Sequence, residues 1–309
     1  MSALDNYRDA LRNAPARGAG ATHAWLMSAA NFAAVAGVDA GTAERDLLAA
    51  MPRRPTPSTE VRDTVARAYR DRGAAVRFGS VPCISKAEPK PRPAPKAATH
   101  FIRRGEGFAE VDIWEASPVR LDWGEEFWRD AVALLHALFL PGERVFCGDA
   151  YGRTVRTREE WCSRWEHGEP VPPLFCPNPL KAGGGMTASG KPSPRCDDAV
   201  AVYRHAVAEM DAMPLEQQIS FWCGWGLDAV SAITFSGSKS LHVLLRVDAE
   251  DAEEWRREVK GGLFARRLIP LGCDGACVNP SRLSRLAGAR RADKGGAVQK
   301  LLFVREALA

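Results

Sequence analysis

The sequence predicts an α+β fold with helices packed on a mostly antiparallel sheet, preceded by a small N-terminal helical domain. After residue 99, strand-like segments of alternating apolar and polar residues are separated by segments with helical spacing. Residues 1–80 show helical spacing. A proline- and lysine-rich stretch at 81–98 separates the two parts, because repeated proline prevents helices and central strands. We therefore predict domains at 1–80 and 99–309, joined by an extended linker.

The first domain is predicted to contain four helices. Apolar spacing around Tyr7 and Trp25 predicts two of them, separated by a glycine-rich break at 18–20. The segments Ala40–Met51 and Ser58–Asp71 predict two more, the last with Ser58 as its N-cap. The domain is locally basic, which is typical either of a solvated helix face or of a domain that contacts nucleic-acid phosphates or a partner protein. Its arginines include Arg53, Arg54, Arg62, Arg67, Arg70 and Arg72.

The second domain begins with a predicted strand and a predicted helix. Alternation over Phe108–Trp114 predicts the strand, and the apolar spacing of Trp123–Leu138 predicts an amphipathic helix. Strands around Val145 and Val155 are predicted to form a hairpin across the turn at 148–152.

Residues 181–194 are rich in Gly, Ser, Thr and Lys without an apolar period, which predicts a long mobile loop. Lys181, Lys191 and Arg195 could close over a nucleotide or a nucleic acid; a merely disordered loop is the alternative. The rest of the chain alternates strands and helices: a strand at 205–211, a helix at 214–225, strands at 230–235 and 240–248, a helix at 249–268 and a final strand at 301–305.

Composition sets broad limits on the class of protein. Apolar residues make up 46% of the chain and charged residues 26%, as in ordinary globular proteins. No stretch reaches about 18 uncharged apolar residues, so we expect no transmembrane helix and no membrane partner. The N-terminus lacks a signal-peptide pattern, so we expect a cytoplasmic location. The net charge of +4 is compatible with nucleic-acid binding.

The eight cysteines are dispersed, and none forms a C-x-x-C pair. Cys273 and Cys277 form a C-x3-C pattern, which together with Cys176 or Cys196 could bind zinc. Neither a paired histidine nor a second C-x-x-C knuckle accompanies them, so we expect buried, reduced thiols.

The segment Phe235–Leu244 carries the strongest chemical signal. It predicts a strand, a tight turn and a second strand on which Ser240 and His242 share one face. Gly237 allows close approach of the backbone, Lys239 supplies positive charge, and the serine and histidine donate hydrogen bonds. These residues suit a polyphosphate. The alternative is an ordinary hairpin with a polar edge.

A second segment, His205–Asp211, places Glu209 and Asp211 on one face of a predicted strand. Two carboxylates at a strand end suit a pair of hard divalent cations whose shells are completed by phosphates. A solvated strand end is the alternative. Because one helix separates this strand from the Ser240–His242 strand, the two could be neighbours in one sheet.

A third segment, Leu271–Arg285, contains Asp274 between two glycines, which is typical of a tight turn that faces a ligand. Asn279–Pro280 predicts a helix start, and Arg282 and Arg285 would then lie on one helical face. Taken singly, the aspartate suits an ordinary turn and the arginines a solvated helix face.

In this order, E-x-D, S-G-x-K-S-x-H and an Asp in a Gly-rich turn resemble the catalytic core of the archaeo-eukaryotic primase superfamily, also called primase-polymerases. The likeness covers roughly 145–290 and is greatest to the phage- and plasmid-borne branch. The stretches that carry this closer likeness are Pro177–Leu180, Gly190–Asp197, Pro214–Gln217 and Asn279–Arg285. The chain departs from the pattern at Glu209, where many members have Asp, and at Ala287, where relatives more often have Pro.

The resemblance implies an RRM-like primase palm with an associated α/β unit at 99–309. It also implies synthesis of short primers on single-stranded DNA from NTPs or dNTPs, in phage or plasmid replication, beside a separate replicative helicase. Glu209, Asp211 and Asp274 would hold two Mg²⁺ or Mn²⁺ ions. The residues implied in nucleotide binding are Ser236, Lys239, Ser240, His242, Arg282 and Arg285.

Two other functions use similar residues. A metal-dependent nuclease or strand-transfer enzyme also needs carboxylates, a histidine and metal, although a rolling-circle nickase would want an H-x-H pair that this chain lacks. A non-catalytic DNA-binding replication initiator would have no need of three acidic positions. The absence of a G-x-x-x-x-G-K-[ST] loop argues against a helicase ATPase in this chain.

Overall fold

The computed structural model describes residues 3–15, 22–50, 58–70, 94–121 and 125–306. The chain divides into two compact units, Met1–Glu88 and Pro89–Ala309. The predicted glycine break at 18–20, most of the predicted linker, and Arg53, Arg54, Arg72 and Trp123 lie outside the described residues. None of the helices in the described ranges is long and apolar enough to cross a membrane.

The described part of the first unit is a bundle of four helices, which confirms the predicted elements. They are α1 (Ala3–Arg12), α2 (Thr22–Val35), α3 (Ala40–Ala50) and α4 (Ser58–Arg70). Leu26, Leu47 and Val65 are buried between them. Two tyrosines join helices through their hydroxyls: Tyr7 donates to Asp46 at 3.1 Å, and Tyr69 donates to the carbonyl of Val38 at 2.6 Å.

The second unit combines short helices with small sheets. Its helices are α5 (Thr99–Arg104), α6 (Glu110–Glu115), α7 (Trp128–Leu138), α8 (Arg158–Glu166), α9 (Leu215–Trp225) and α10 (Ala252–Glu254), which continues as a π-helix over Trp255–Leu268. Its strands are β1 (Arg144–Gly148), β2 (Val155–Thr157), β3 (Leu174–Phe175), β4 (Gly185–Met186), β5 (Pro192–Ser193), β6 (Tyr203–Glu209), β7 (Val230–Phe235), β8 (Leu241–Ala249), β9 (Ser284–Arg285), β10 (Arg290–Arg291), β11 (Ala297–Val298) and β12 (Lys300–Val304). The fold is therefore α+β, as predicted.

The central sheet has the strand order β12-β7-β8-β6, and each pair is antiparallel. Along the chain its elements follow a strand–helix–strand–strand–helix–strand order. Both faces of the sheet are covered. Leu241 and Val243 pack with α9 and the π-helix, whereas Leu244 packs on the other face with residues of α7 and α8. Because side chains alternate along a strand, Glu209 and His242 lie on the face that carries Leu244.

A second sheet has the strand order β2-β1-β3-β9. It places β9, the end of the Leu271–Arg285 segment, beside β3. The predicted turn at 148–152 joins β1 and β2 as expected. Buried Asn178 connects three segments: its Nδ2 donates to the carbonyls of His205 at 2.9 Å and Pro280 at 2.8 Å, and its Oδ1 accepts from the amides of Arg204 and His205. Asn178 thereby fixes β6 against the segment that follows Asp274.

Helices α5 and α9 cross in close contact at two glycines. A Cβ atom on Gly224 would lie 1.9 Å from the carbonyl oxygen of Phe101, and a Cβ on Gly105 would lie 2.0 Å from that of Ser220. Side chains larger than hydrogen therefore cannot be accommodated at this crossing without moving backbone.

The strand prediction for Phe108–Trp114 was wrong, because this segment forms α6. The carboxylate of Asp112 accepts from the amide of Ala109 at 2.6 Å and caps the helix start. Residues 108, 111 and 114 have the spacing of three that suits a helix, whereas Val111 and Ile113 have the spacing of two that suits a strand. Ile113 is buried, while Val111 and Trp114 face solvent in part.

The loop prediction for 181–194 was also wrong in part, because the strands β4 and β5 pair antiparallel within it. Thr187 closes the turn: its amide donates to the carbonyl of Lys191 at 2.9 Å, and its hydroxyl oxygen accepts from the amide of Lys191 at 3.0 Å. Local hydrogen bonds of a threonine therefore order a segment whose composition predicts a loop.

The predicted helix start at Asn279–Pro280 is not observed. Asp274 instead caps a 3₁₀ helix at Gly275–Val278 by accepting from the amide of Ala276 at 2.9 Å. Arg282 follows in a turn, and Arg285 belongs to β9, which pairs with β3. The two arginines therefore do not share a helical face.

Acid pH is expected to destabilise the second unit through His205, whose side chain is 1% exposed in β6. Burial, together with the positive charges of Arg246 and Arg204, lowers the pKa of His205 to about 3. An unfolded histidine binds its proton near pH 6.5, so the unfolded state binds more protons between about pH 6.5 and pH 3. The free energy of unfolding should then fall with pH by up to about 1.4 kcal/mol per pH unit from this residue. Urea titrations at pH 7 and 5 should show a smaller fall in His205→Leu; equal falls would contradict the assignment.

Candidate active site

Three acidic residues from two of the predicted motifs lie at one end of the central sheet. Glu209 is the last residue of β6 and is 6% exposed, whereas Asp211 lies two residues further in an exposed turn before α9. The amide of Asp274 donates to the carbonyl oxygen of Glu209 at 2.8 Å. The fold thus brings the lone aspartate beside the E-x-D pair.

Glu209 also contacts a basic residue from each of two other segments. It lies directly opposite His242 in the β6–β8 ladder, and its Oε1 is 3.5 Å from Nδ1 of that histidine. Arg282, 73 positions later in the chain, donates from Nη2 to the same oxygen at 3.3 Å. Glu209 is therefore the point at which all three motifs meet.

The electrostatic surroundings of Glu209 favour a bound cation. Burial raises the pKa of Glu209; Asp211 and Asp274 raise it too, and Arg282 acts in the opposite direction. A buried carboxylate near two other carboxylates is stabilised in its charged form by a positive counter-ion. In the structure Arg282 supplies that charge.

His242 is a buried, uncharged histidine at neutral pH. Burial, together with the positive charges of Arg285, Arg282 and Arg291, lowers its pKa to about 3. Its Nδ1 forms no hydrogen bond among the described residues. A neutral imidazole carries one N–H donor and one acceptor, so His242 suits hydrogen bonding to a ligand better than ion pairing.

The turn between β7 and β8 is tight and closed by its own serines. Ser236 Oγ accepts from the amide of Ser240 at 3.1 Å and lies 3.2 Å from its hydroxyl, while the amide of Ser236 donates to the carbonyl of Ser240 at 2.9 Å. Gly237 has φ +74°, and a Cβ there would lie 2.9 Å from the carbonyl oxygen of Val298 in β11. Lys239 lies within this turn and is partly exposed.

Sequence reasoning missed two residues of this site. Arg291 in β10 donates from Nη1 to the carbonyl of Ser236 at 3.4 Å, and it lies near enough to His242 to affect its pKa. Gln218 in α9 binds the backbone of the Ser236–Ser240 turn. No spacing rule predicts either contact, because each joins segments that only the fold brings together.

The donor set fits a divalent cation in its chemistry. Carboxylate oxygens are the ligands that Mg²⁺ and Mn²⁺ prefer, and three of them come from adjoining backbone segments. As the side chains stand, the described ranges contain no group of three or more His, Cys, Asp or Glu that could hold a metal ion. Cys273 and Cys277 are buried free thiols.

Comparison of the chain with protein-family models, with curated proteins and with solved structures finds no match. The resemblance to primase-polymerases is therefore one of sequence motifs.

Proposed function

We propose that this protein is a primase or primase-polymerase that carries out template-directed nucleotidyl transfer on single-stranded DNA. The observation that carries the proposal is the meeting of the three motifs at Glu209. His242, Asp274 and Arg282 lie in segments far from Glu209 in the chain, yet each contacts Glu209 or its backbone. A chance combination of a polar hairpin, a solvated strand end and a glycine-rich turn has no reason to converge in this way.

Glu209, Asp211 and Asp274 would hold the Mg²⁺ or Mn²⁺ ions, whose contribution is to activate a 3′-hydroxyl and to stabilise the leaving pyrophosphate. Glu209 would then have the metal ions as its counter-charge in place of Arg282. Arg282 is only partly buried and would be available to pair with the phosphates of a nucleotide. The ion pair would therefore hold the site in a resting arrangement.

The residues around the Ser236–Ser240 turn would bind the triphosphate of the incoming nucleotide. The serines, Lys239 and neutral His242 supply hydrogen-bond donors and charge. Arg285 and Arg291 add positive charge near His242. His242 would act as a hydrogen-bond donor to phosphate, since a histidine of such low pKa is a poor source of protons at neutral pH.

The palm assigned to this family is supported by the order of elements in the central sheet, which follows the β-α-β-β-α-β arrangement. In the usual sheet of that kind the fourth strand lies beside the first, whereas here β12 lies beside β7, the second. The support for a palm therefore comes from the order of elements along the chain and from the site, since the order of strands within the sheet differs.

The test is incubation of the protein with unprimed single-stranded DNA, labelled NTPs or dNTPs, and Mg²⁺ or Mn²⁺, beside an Asp211→Ala variant. We expect short new products from the wild type, none from the variant, and none after EDTA. If both proteins bind DNA, with or without EDTA, and neither makes product, the chain is a replication initiator. Metal-dependent cleavage of the DNA would instead indicate a nuclease or strand-transfer enzyme. Extension of a supplied primer without synthesis of new primers would indicate a polymerase that needs a priming partner.

A further inference from the structure

One buried side chain connects the carboxylate end of the candidate site with its phosphate-binding turn. Gln218 lies in the second turn of α9 and is 0% exposed. Its Nε2 donates to the carbonyls of Met213 at 2.7 Å and Lys239 at 3.1 Å, and its Oε1 accepts from the amide of Leu241 at 2.9 Å. Both ends of the carboxamide are therefore used.

The three hydrogen-bond partners of Gln218 lie in two segments, the one that follows Asp211 and the Ser236–Ser240 turn with the residue after it. The proposed chemistry needs these two segments in a fixed position relative to each other. Met213 is two residues after Asp211, in the turn that leaves β6. Lys239 and Leu241 flank Ser240, at the point where the phosphate-binding turn enters β8. Gln218 approaches from the α9 side of the sheet, whereas Glu209 and His242 lie on the other face, so it does not need to touch a ligand to affect the site.

Gln218 supports the backbone around Ser240 from outside the turn. The serine bonds close the turn on itself, and Arg291 donates to the carbonyl of Ser236. A carboxamide that accepts from one side of Ser240 and donates to the other restricts the peptide planes on both sides of that residue. This restriction sets where the Ser240 hydroxyl and the His242 ring point.

We infer that Gln218 is a positioning residue that preorganises the Ser236–Ser240 turn for a nucleoside triphosphate and holds it in register with Asp211. The inference rests on the proposed function and assigns the residue to nucleotide affinity. Two of its three bonds reach the phosphate-binding turn and only one reaches the segment after Asp211. Its loss should therefore weaken nucleotide binding more than it slows the chemical step.

The experiment compares Gln218→Met, which keeps the length of the side chain and removes all three bonds, with Gln217→Met on the same helix. Gln217 is a matched control because its Oε1 has no hydrogen-bond partner within the described ranges. The affinity of each protein for a fluorescent, non-hydrolysable NTP or dNTP is measured with Mn²⁺, and KM and kcat for the nucleotide are measured in primer synthesis. Thermal melts report the folded fraction.

We expect Gln218→Met to raise the Kd and KM for nucleotide about tenfold or more while kcat changes less than about threefold. Gln217→Met should stay within about twofold of the wild type in both. If Gln218→Met does not fold, Gln218→Glu is used instead, because a buried, protonated carboxyl keeps the volume and the acceptor for Leu241 but has one donor in place of two. We expect the same direction of change.

Wild-type Kd in a folded Gln218 variant would overturn the inference and leave the proposed function standing. A fall in kcat alone, in proportion to a lost folded fraction, would overturn it as well, because that is the result of a purely structural role. If the wild type binds no nucleotide at all, both the inference and the proposed function fail.

Discussion

Replacing Glu209 with glutamine is expected to abolish primer synthesis while the protein stays folded. The carboxylate would be the shared ligand of the proposed cations, and metal stabilisation of the transition state is worth several kcal/mol. Loss of about 4 kcal/mol corresponds to a rate about a thousandfold lower. The carboxamide keeps the shape of the side chain and can still accept from Arg282, so the melting temperature should change by less than about 4 °C.

A matched control for this experiment is Glu106→Gln, which changes an exposed carboxylate on the same unit. Its rate of primer synthesis should equal that of the wild type. A Glu209→Gln protein that makes primers at the normal rate would remove Glu209 from the catalytic site. An inactive but unfolded Glu209→Gln protein would show instead that the negative charge of Glu209 is needed for folding.

Replacing Gly224 with alanine is expected to lower the free energy of unfolding more than the addition of a methyl group at any other described glycine of the second unit. Alanine favours helices over glycine, so the change should help α9 if the helix stood alone. The new Cβ would instead lie 1.9 Å from the carbonyl oxygen of Phe101, a contact that backbone must move to relieve. We expect a loss of about 3 kcal/mol or more in the free energy of unfolding, measured by urea titration.

The control is Gly261→Ala in the π-helix, where the nearest heavy atom to the new Cβ is 3.4 Å away. There the helix preference of alanine should prevail, and the free energy of unfolding should stay equal or rise by up to about 1 kcal/mol. Equal effects at the two glycines would show that the α5–α9 crossing adjusts freely. Because α9 also carries Gln218, the Gly224→Ala protein should in addition bind nucleotide less tightly.

Local pattern was sufficient for much of the fold. The bounds of β7 were predicted to the residue, and α3 and α4 begin at the predicted residues Ala40 and Ser58. In each of these segments one period prevails and a turn or breaker marks the end. The prediction was wrong at Phe108–Trp114, where apolar residues occur both three apart, as in a helix, and two apart, as in a strand. The hydrogen bond from the amide of Ala109 to Asp112 stabilises the helix.

The motifs themselves could be found from the sequence, because E-x-D, S-x-H and an Asp between glycines are local spacings. The meeting of the three motifs in space could not be predicted from these spacings. The helix predicted from Asn279 was wrong because Asp274 starts its 3₁₀ helix earlier and because β9 pairs with β3. That pairing places Arg282 in a turn from which its guanidinium reaches Glu209. Arg291 was missed since its role depends on packing of β11 against Gly237.

The sequence by itself determined which chemical groups this protein has, and the strands and helices of the central sheet, because both follow from residue type and from spacings of two to four positions. Only the tertiary structure decided that Glu209 is buried against His242, Asp274 and Arg282, and that Gln218 holds the Ser236–Ser240 turn. These contacts join residues that are many positions apart. Their energies depend on burial and on the meeting of separate segments, which no local period encodes.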